Sequence, residues 1–434
     1  MTAYVLPDNR IQEADAAVHG WYRFVLSFPP HLVRSYLERF AVSSAATVLD
    51  PFCGTGTTLV ECKKLGIASE GLEANPMAHF ASQVKLDWTV SPDALRAYAR
   101  ATAEEAYGRL EGCGGATLPL LAPRRTVKPE ELRRLPAGQH ALLLANSISP
   151  VPLHKSLVLR DLIVGSEPIE LHGHALLALA RTLVETAGNL HFGPEVGVRG
   201  RKSDAPVVES WLANTEAIAA DLEWVAGRAG TPSHVHRRDA RGVAELVPPR
   251  CVDFVFTSPP YPNEKDYTRT TRLESVILGF LQSKEDLRRL KRSLLRSNTR
   301  NVYRDDRDHL EVADNPAIQA LADELETRRK SLGKTSGFER LYARVTRLYF
   351  GGMKRHLAEL RGCLRPGAHL CYVVGDPASY LQVMIRTGQL LAEIAESLGY
   401  EVVGIDLFRK RIATATREWL REEVVLLRWK GEVS

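Results

Sequence analysis

The run "TVLDPFCGTGTTLVECKKLG", residues 47–66, does most to restrict what this chain can fold into. Thr47–Leu49 reads as a short strand, and 50–56, with a proline and two glycines, as a tight turn that starts at Asp50. Thr57–Leu65 then carries apolar residues at helical spacing. A second strand over Ala68–Leu72 and a helix after Pro76 repeat the alternation. Ahead of the run, "SFPPHLVRSYLERF" (27–40) has Pro29 and Pro30 placed to open a helix. Strands alternating with helices predict a mostly parallel sheet covered on both faces.

The same grammar resumes near Val235. "HVHRRDA" reads as a strand ending at Asp239, and "CVDFVFTSPPY" (251–261) as the next strand, stopped by two prolines that cannot feed a sheet ladder. "MKRHLAELRGCLRPGAHLCYVVGD" predicts a helix, a Pro-Gly turn and a strand ending at Gly375-Asp376. A helix over 382–398 and the strands "YEVVGIDLF" and "EEVVLLRW" follow. The expected fold class is α/β and Rossmann-like, assembled from residues 1–91, 226–281 and 341–434. Two largely helical insertions separate these parts. Residues 92–225 mix helices with Pro- and Gly-rich turns. Residues 282–340 form a charged stretch expected to be helical, with Lys284, Arg288, Arg289, Lys291, Arg292, Arg296, Arg300 and Arg304. Such a run is either a solvated face or a surface that contacts phosphates.

Composition bounds the class of protein. Of 434 residues, 44% are hydrophobic and 25% charged, which describes a globular chain long enough for a large core. A net charge of +5 permits a nucleic-acid partner where the cations cluster on one face. Six cysteines without a C-x-x-C pair read as reduced thiols, and no metal site is expected. The start "MTAYVLPDNRIQEAD" lacks a basic segment followed by an apolar run, and "HALLALARTLV" (174–184) is too short to span a bilayer. The expectation is a soluble, cytoplasmic protein without a membrane partner.

The glycine turn narrows the ligand. Open α/β sheets bind at the carboxyl ends of their strands, where glycine lets a ligand approach the backbone. The dinucleotide fingerprint needs a third glycine where Leu59 stands, and the phosphate loop G-x-x-x-x-G-K-[ST] is absent from the turn. Asp50 at the entrance disfavours a pyrophosphate and suits a cationic or hydroxyl-bearing ligand. Glu73, after the second strand, is positioned for ribose hydroxyls, and Asp239, after the third, for an exocyclic amine. The three acids together suit a nucleoside without phosphates.

"DPFCGTGTT" together with "TSPPY" resembles the amino-methyltransferases of DNA, which use S-adenosylmethionine and share the Rossmann-like class I fold. The resemblance covers 19–82, 235–275 and 354–430. It implies that Asp50, Pro51, Phe52, Cys53, Gly54, Gly56, Thr57 and Thr58 hold the methionine part of the cofactor, and Glu73 its ribose. Ser27, Phe28 and Pro29 fall in the segment whose members help close over the cofactor, and Asp239 and Ser258 complete the expected contacts. Two features depart from the family pattern. A long insertion precedes Asp239, and the cofactor turn comes before S-P-P-Y, whereas many members run in the other order.

The chemistry of Ser258-Pro259-Pro260-Tyr261 follows from its residue types. An exocyclic amine on a base is a poor nucleophile because its lone pair is delocalised into the ring. Acceptors for its N–H groups draw the nitrogen toward sp³. Prolines hold their neighbourhood extended and supply no competing donors, so the Ser258 hydroxyl and the Pro259 carbonyl form a rigid acceptor edge. Tyr261 can stack on a base turned out of the duplex. Cytosine C5 chemistry would need a nucleophilic cysteine, usually after proline, and the chain has no Pro-Cys pair.

The resemblance leans toward cytosine N4 for a serine before Pro-Pro-Tyr, with adenine N6 and an RNA base as alternatives. Outside the methyltransferases stand a non-catalytic nucleic-acid-binding protein on the same fold and, third, a nicotinamide oxidoreductase. Double-stranded DNA is the expected partner, with Asp266, Tyr267, Arg269, Arg199, Arg201, Lys202, Arg292 and Arg296 as candidate contacts. Either insertion could read the sequence. A cognate restriction endonuclease, and a monomer or a homodimer, are compatible with this reading.

Overall fold

Alternate residues of the central strands face opposite sides, so each strand must be covered twice. Val48, Phe254, Phe256, Cys371 and Val373 are buried on one face, while Leu49, Val255, Leu370, Tyr372 and Val374 are buried on the other. The computed structural model describes residues 15–22, 27–112, 130–193, 195–412 and 417–431. Its main sheet contains β1 (Thr47–Asp50), β2 (Ala68–Leu72), β3 (Ser233–His236), β4 (Val252–Thr257), β5 (Leu364–Gly375), β6 (Tyr400–Ile412) and β7 (Trp419–Trp429). Their order is β3-β2-β1-β4-β5-β7-β6. All pairs are parallel except those of β7, which runs antiparallel to β5 and β6.

Helix α1 (Pro30–Arg39) opens at Pro30 as its two prolines predict, and α2 (Thr57–Leu65) starts at the glycine turn. Helix α3 (Pro76–Leu86) is capped by Asn75, whose side chain accepts from Met77 N at 3.0 Å. The first insertion contributes α4 (Pro92–Gly112), α5 (Pro150–Gly165), α6 (His172–Thr182) and α7 (Val207–Val225). Their apolar sides merge with Met77, Ala81 and Val84 of α3 in one continuous core. Trp211 is fully buried there and donates to Ala175 O at 2.8 Å. The opposite face of the sheet is covered by α10 (Tyr342–Leu360) and α11 (Thr387–Ser397).

Three expectations change in detail. The third strand stops at His236, and Asp239 instead caps a short 3-10 helix by accepting from Arg241 N at 3.0 Å. Helix α11 begins five residues later than its apolar pattern suggests, because Leu381 and Gln382 hold positive φ and turn the chain first. The second insertion is helical only over α8 (Lys284–Ser293) and α9 (Pro316–Ser331), apart from short 3-10 turns. Arg296 ends α8 by donating to the carbonyls of Lys291, Arg292 and Leu294, which a continuing helix would need for itself. Among the described residues no helix is long and apolar enough to cross a membrane.

Candidate active site

The parallel register brings Asp50, Leu72, Thr257 and the end of β5 to one edge of the sheet. Strand order reverses between β1 and β4, so the connections after these two strands diverge and leave a crevice. A cavity of about 400 Å³ fills that crevice. Its wall includes Pro51–Thr55 and Thr57, Glu73–Asn75, Asp239, Ser258–Tyr261, and Ser27 and Phe28 from the segment before α1. Phe28 is held edge-on to Phe256 and Phe52 edge-on to His356, so both aromatic walls are anchored in the core.

The glycine turn is built for close approach. Gly56 has a φ of +84°, and a Cβ there would lie 2.5 Å from Ser82 Oγ. At Gly54 a Cβ would meet nothing within 4 Å, which leaves the backbone open to a ligand. Substituting Gly56 with alanine is therefore expected to cost about 1–2 kcal/mol from the left-handed backbone, plus the Ser82 clash. Denaturant melts should show this loss together with weaker cofactor binding.

Glu73 is the brace of the turn. One carboxylate oxygen accepts from Gly54 N at 2.9 Å and the other from Asn75 N at 2.7 Å. Burial pushes its carboxyl up to about 7, even though both amide donors favour the ionised form. Asp50 is the counterpart inside the protein. It is fully buried and accepts the Thr257 hydroxyl at 2.6 Å and Phe52 N at 3.1 Å. Its other oxygen has no hydrogen-bond partner, and burial raises its carboxyl to about 6.

The S-P-P-Y segment is tied to β5 and to Tyr267 beyond it. Ser258 Oγ donates to Val373 O at 3.0 Å, so its one proton is engaged and its lone pairs remain as acceptors. Tyr261 N donates to Tyr267 OH at 3.1 Å. The Tyr261 ring lies over Gly375, where a Cβ would sit 2.7 Å from the ring. Gly375→Ala should displace the ring and reduce turnover several-fold, with thermal stability nearly preserved. Steady-state kinetics beside a melting curve would check this.

The structure gathers most of the expected site residues, but with altered roles. Pro29, Asp50, Gly56 and Thr58 support the cavity without lining it. Asp50 holds the turn to β4 from within, and Thr58 Oγ1 donates to Phe256 O at 3.2 Å. Asp239 lines the cavity but already accepts from the Arg241 guanidinium at 3.0 Å, which leaves less capacity for an amine.

Several expected DNA contacts are corrected. Arg296 is buried against Asp306 at 2.8 Å, and Asp266 is buried against Lys291 at 3.0 Å, so neither reaches a duplex surface. Tyr267 is part of the cavity wall. Arg269 turns inward to Val196 O, and Lys202 donates to the carbonyls of Thr186 and Gly188. Arg201 donates to Asn146 Oδ1 at 2.6 Å, and Arg199 is exposed. Arg292 is half-exposed, stacked over Tyr303 and paired with Asp305.

Sequence reasoning missed Asn75, Asn263, Lys265, Phe408, Arg409, Arg411 and Glu422, all of which line the cavity. Only Asn75 carries a readable local signal, as a capping residue before a proline. The others arrive from a loop and from the distant β6–β7 hairpin. Arg409 and Glu422 pair directly across that hairpin, with a second contact at 2.7 Å. Beside the cavity lies an open polar cleft of about 950 Å³, with exposed Arg237, Arg238 and Arg289 on its wall.

A switch-point cavity with a glycine turn, a buried strand-end acid and an S-P-P-Y edge is the site of a methyltransferase fold. Residues 6–83 match the model of the N6/N4 DNA methylase family. It is similar to the Type II methyltransferase M.BsoBI of Geobacillus stearothermophilus, with 26% identity over 95% of this chain and 84% of that protein. Similarity to the Type II methyltransferase M.AvaI of Nostoc sp. is 23% identity over 88% and 79% of the two chains. The Type II methyltransferase M.MjaII of Methanocaldococcus jannaschii is 40% identical, but over only 17% of this chain and 14% of its own.

Proposed function

We propose that this protein methylates the exocyclic N4 of cytosine in a short sequence of double-stranded DNA, acting on a base turned out of the helix. The observation that carries the reading is the Ser258 hydroxyl. With its proton engaged by Val373 O, it offers the amine only lone pairs. The Pro259 carbonyl, in the same rigid segment, is the second acceptor. Two neutral acceptors draw the amino nitrogen toward sp³ and stabilise positive charge as it develops there. Tyr261, backed by Gly375, offers a flat surface for the extruded base.

The residues present fit S-adenosylmethionine as the methyl donor. Gly54 leaves its backbone open, Glu73 can accept from ribose hydroxyls, and Phe28 and Phe52 present apolar walls. Gly54, Thr55, Thr57 and Glu73 would hold the cofactor, and Ser27 and Phe28 would close over it. When bound, the cofactor supplies a sulfonium methyl as the electrophile. The protein's own contribution is to fix the amine opposite that position and to exclude water from the crevice. The Type II names of the relatives support a role beside a cognate restriction endonuclease.

Nucleoside mass spectrometry on duplex DNA incubated with the protein and S-adenosylmethionine tests the reading. N4-methylcytosine is the expected product. N6-methyladenine would reassign the base, and methylation confined to RNA would overturn the DNA assignment.

A further inference from the structure

Strands β6 and β7 extend beyond the rest of the sheet, and their far end is chemically unlike an ordinary hairpin. Lys410, Arg411, Ile412, Arg417 and Trp419 are all exposed. Ile412 and Trp419 are cross-strand partners, each 54% exposed. A solvent-facing apolar pair at a strand end ordinarily invites association. Among the described residues, Lys410, Arg411 and Arg417 form no ion pair, whereas Arg409 and Arg421 on the same two strands do. Residues 413–416 lie outside the described part of the chain.

The position of this hairpin gives its chemistry a direction. Arg409 and Arg411 face the cavity and line its wall, next to Tyr261. Since side chains alternate along a strand, Lys410 and Ile412 project to the opposite side. The ribbon thus carries cations on both faces and an apolar pair near its tip. That pattern suits an occupant that surrounds the ribbon, not one lying against a single face. The major groove of DNA admits a two-stranded ribbon, with phosphates along its walls and base edges and thymine methyls on its floor.

We infer that the β6–β7 hairpin is a DNA-groove ribbon, in which Lys410, Arg411 and Arg417 meet phosphates and the Ile412–Trp419 pair meets base edges beside the extruded base. The inference rests on the DNA methyltransferase reading above and adds a recognition element that lies outside both insertions. Rigid attachment to the site supports it. Glu422, paired with Arg409 at the base of the ribbon, would come within 3.3 Å of a Cβ at Gly375, beneath Tyr261.

The test uses the full chain and duplex DNA containing the methylated sequence found by mass spectrometry, with anisotropy titrations over a series of salt concentrations. Lys410→Gln/Arg417→Gln should weaken binding at least tenfold and lower the slope of log K against log salt by about 2, roughly 0.9 per lost phosphate contact. Trp419→Ala should weaken binding to that sequence more than binding to unrelated duplexes. Calorimetric binding of S-adenosylhomocysteine should match the parent in all variants, which shows that the fold is intact. Parental affinity and salt slope in the variants would overturn the ribbon alone. A parent chain that binds S-adenosylhomocysteine but no duplex would overturn the DNA reading beneath it. A dimer that dissociates on Trp419→Ala, with DNA affinity unchanged, would reassign the face to a second copy.

Discussion

Ser258→Ala is expected to lower kcat by about 10²-fold or more, the scale on which one preorganised polar group acts in a water-poor site. The affinity for S-adenosylhomocysteine should stay within about twofold, because the lost hydroxyl is directed at the amine and to Val373 O, not at the turn. The structure accounts for the size of this effect. Serine in solution is both donor and acceptor, and a donor facing an amino group would be repelled. Val373 O removes that ambiguity. Tyr261→Ala should act the same way on turnover, through loss of the stacking surface. Rapid-quench turnover and calorimetry, run in parallel, separate the two quantities. A variant with unchanged kcat would rule out the acceptor role of the hydroxyl.

Glu73→Gln is expected to be the most damaging change on the cofactor side. Both oxygens of Glu73 accept backbone N–H groups, so an amide would set its own donors against Gly54 N or Asn75 N. One buried unsatisfied donor costs roughly 1–3 kcal/mol, so the variant should melt at lower temperature and bind S-adenosylhomocysteine weakly. The parent should also bind in a pH-dependent way. Burial holds the free carboxyl near 7, so it is largely protonated at pH 6 and ionised at pH 8. The ionised form is the better acceptor for ribose hydroxyls. Affinity should therefore rise with pH through about 7 and then level, by at most tenfold per unit for one proton released. In Glu73→Gln that rise should be absent.

The same groups act with the opposite sign on the stability of the free protein. The native state raises Glu73 from 4.5 to about 7 and Asp50 from 3.8 to about 6, so it binds protons more tightly than the unfolded chain. Their contribution is most favourable below about pH 4, where both are protonated. It declines as pH rises through 6 and 7. Saturating S-adenosylhomocysteine should reverse part of that decline, and melting curves with and without it would show this.

Much of the site was legible because strand–turn–helix chemistry is local. The glycines of the turn, the acid after β2 and the proline-stopped strand before Tyr261 each occupy the position that their residue types predict. The role of Asp50 was not legible. Its position at a strand end suggests a ligand contact, yet its partner is Thr257, 207 residues away in sequence. That hydroxyl directs the carboxylate into the protein, so Asp50 couples the cofactor turn to the catalytic strand. Arg296 was misread for a related reason. A basic residue in a basic run looks solvated until Asp306 and three backbone carbonyls enclose it.

Sequence alone determined the α/β class, the boundaries of α2 and β2, and the two motifs that carry the family resemblance, because these depend on propensity and spacing over a few residues. Tertiary structure decided which groups face the cavity and which face each other. The parallel register aligned Asp50 with Thr257, and the antiparallel insertion of β7 between β5 and β6 carried Arg409, Arg411 and Glu422 to the mouth of the site. Contacts of that kind are fixed by the closing of a sheet across long stretches of chain, and no local pattern encodes them.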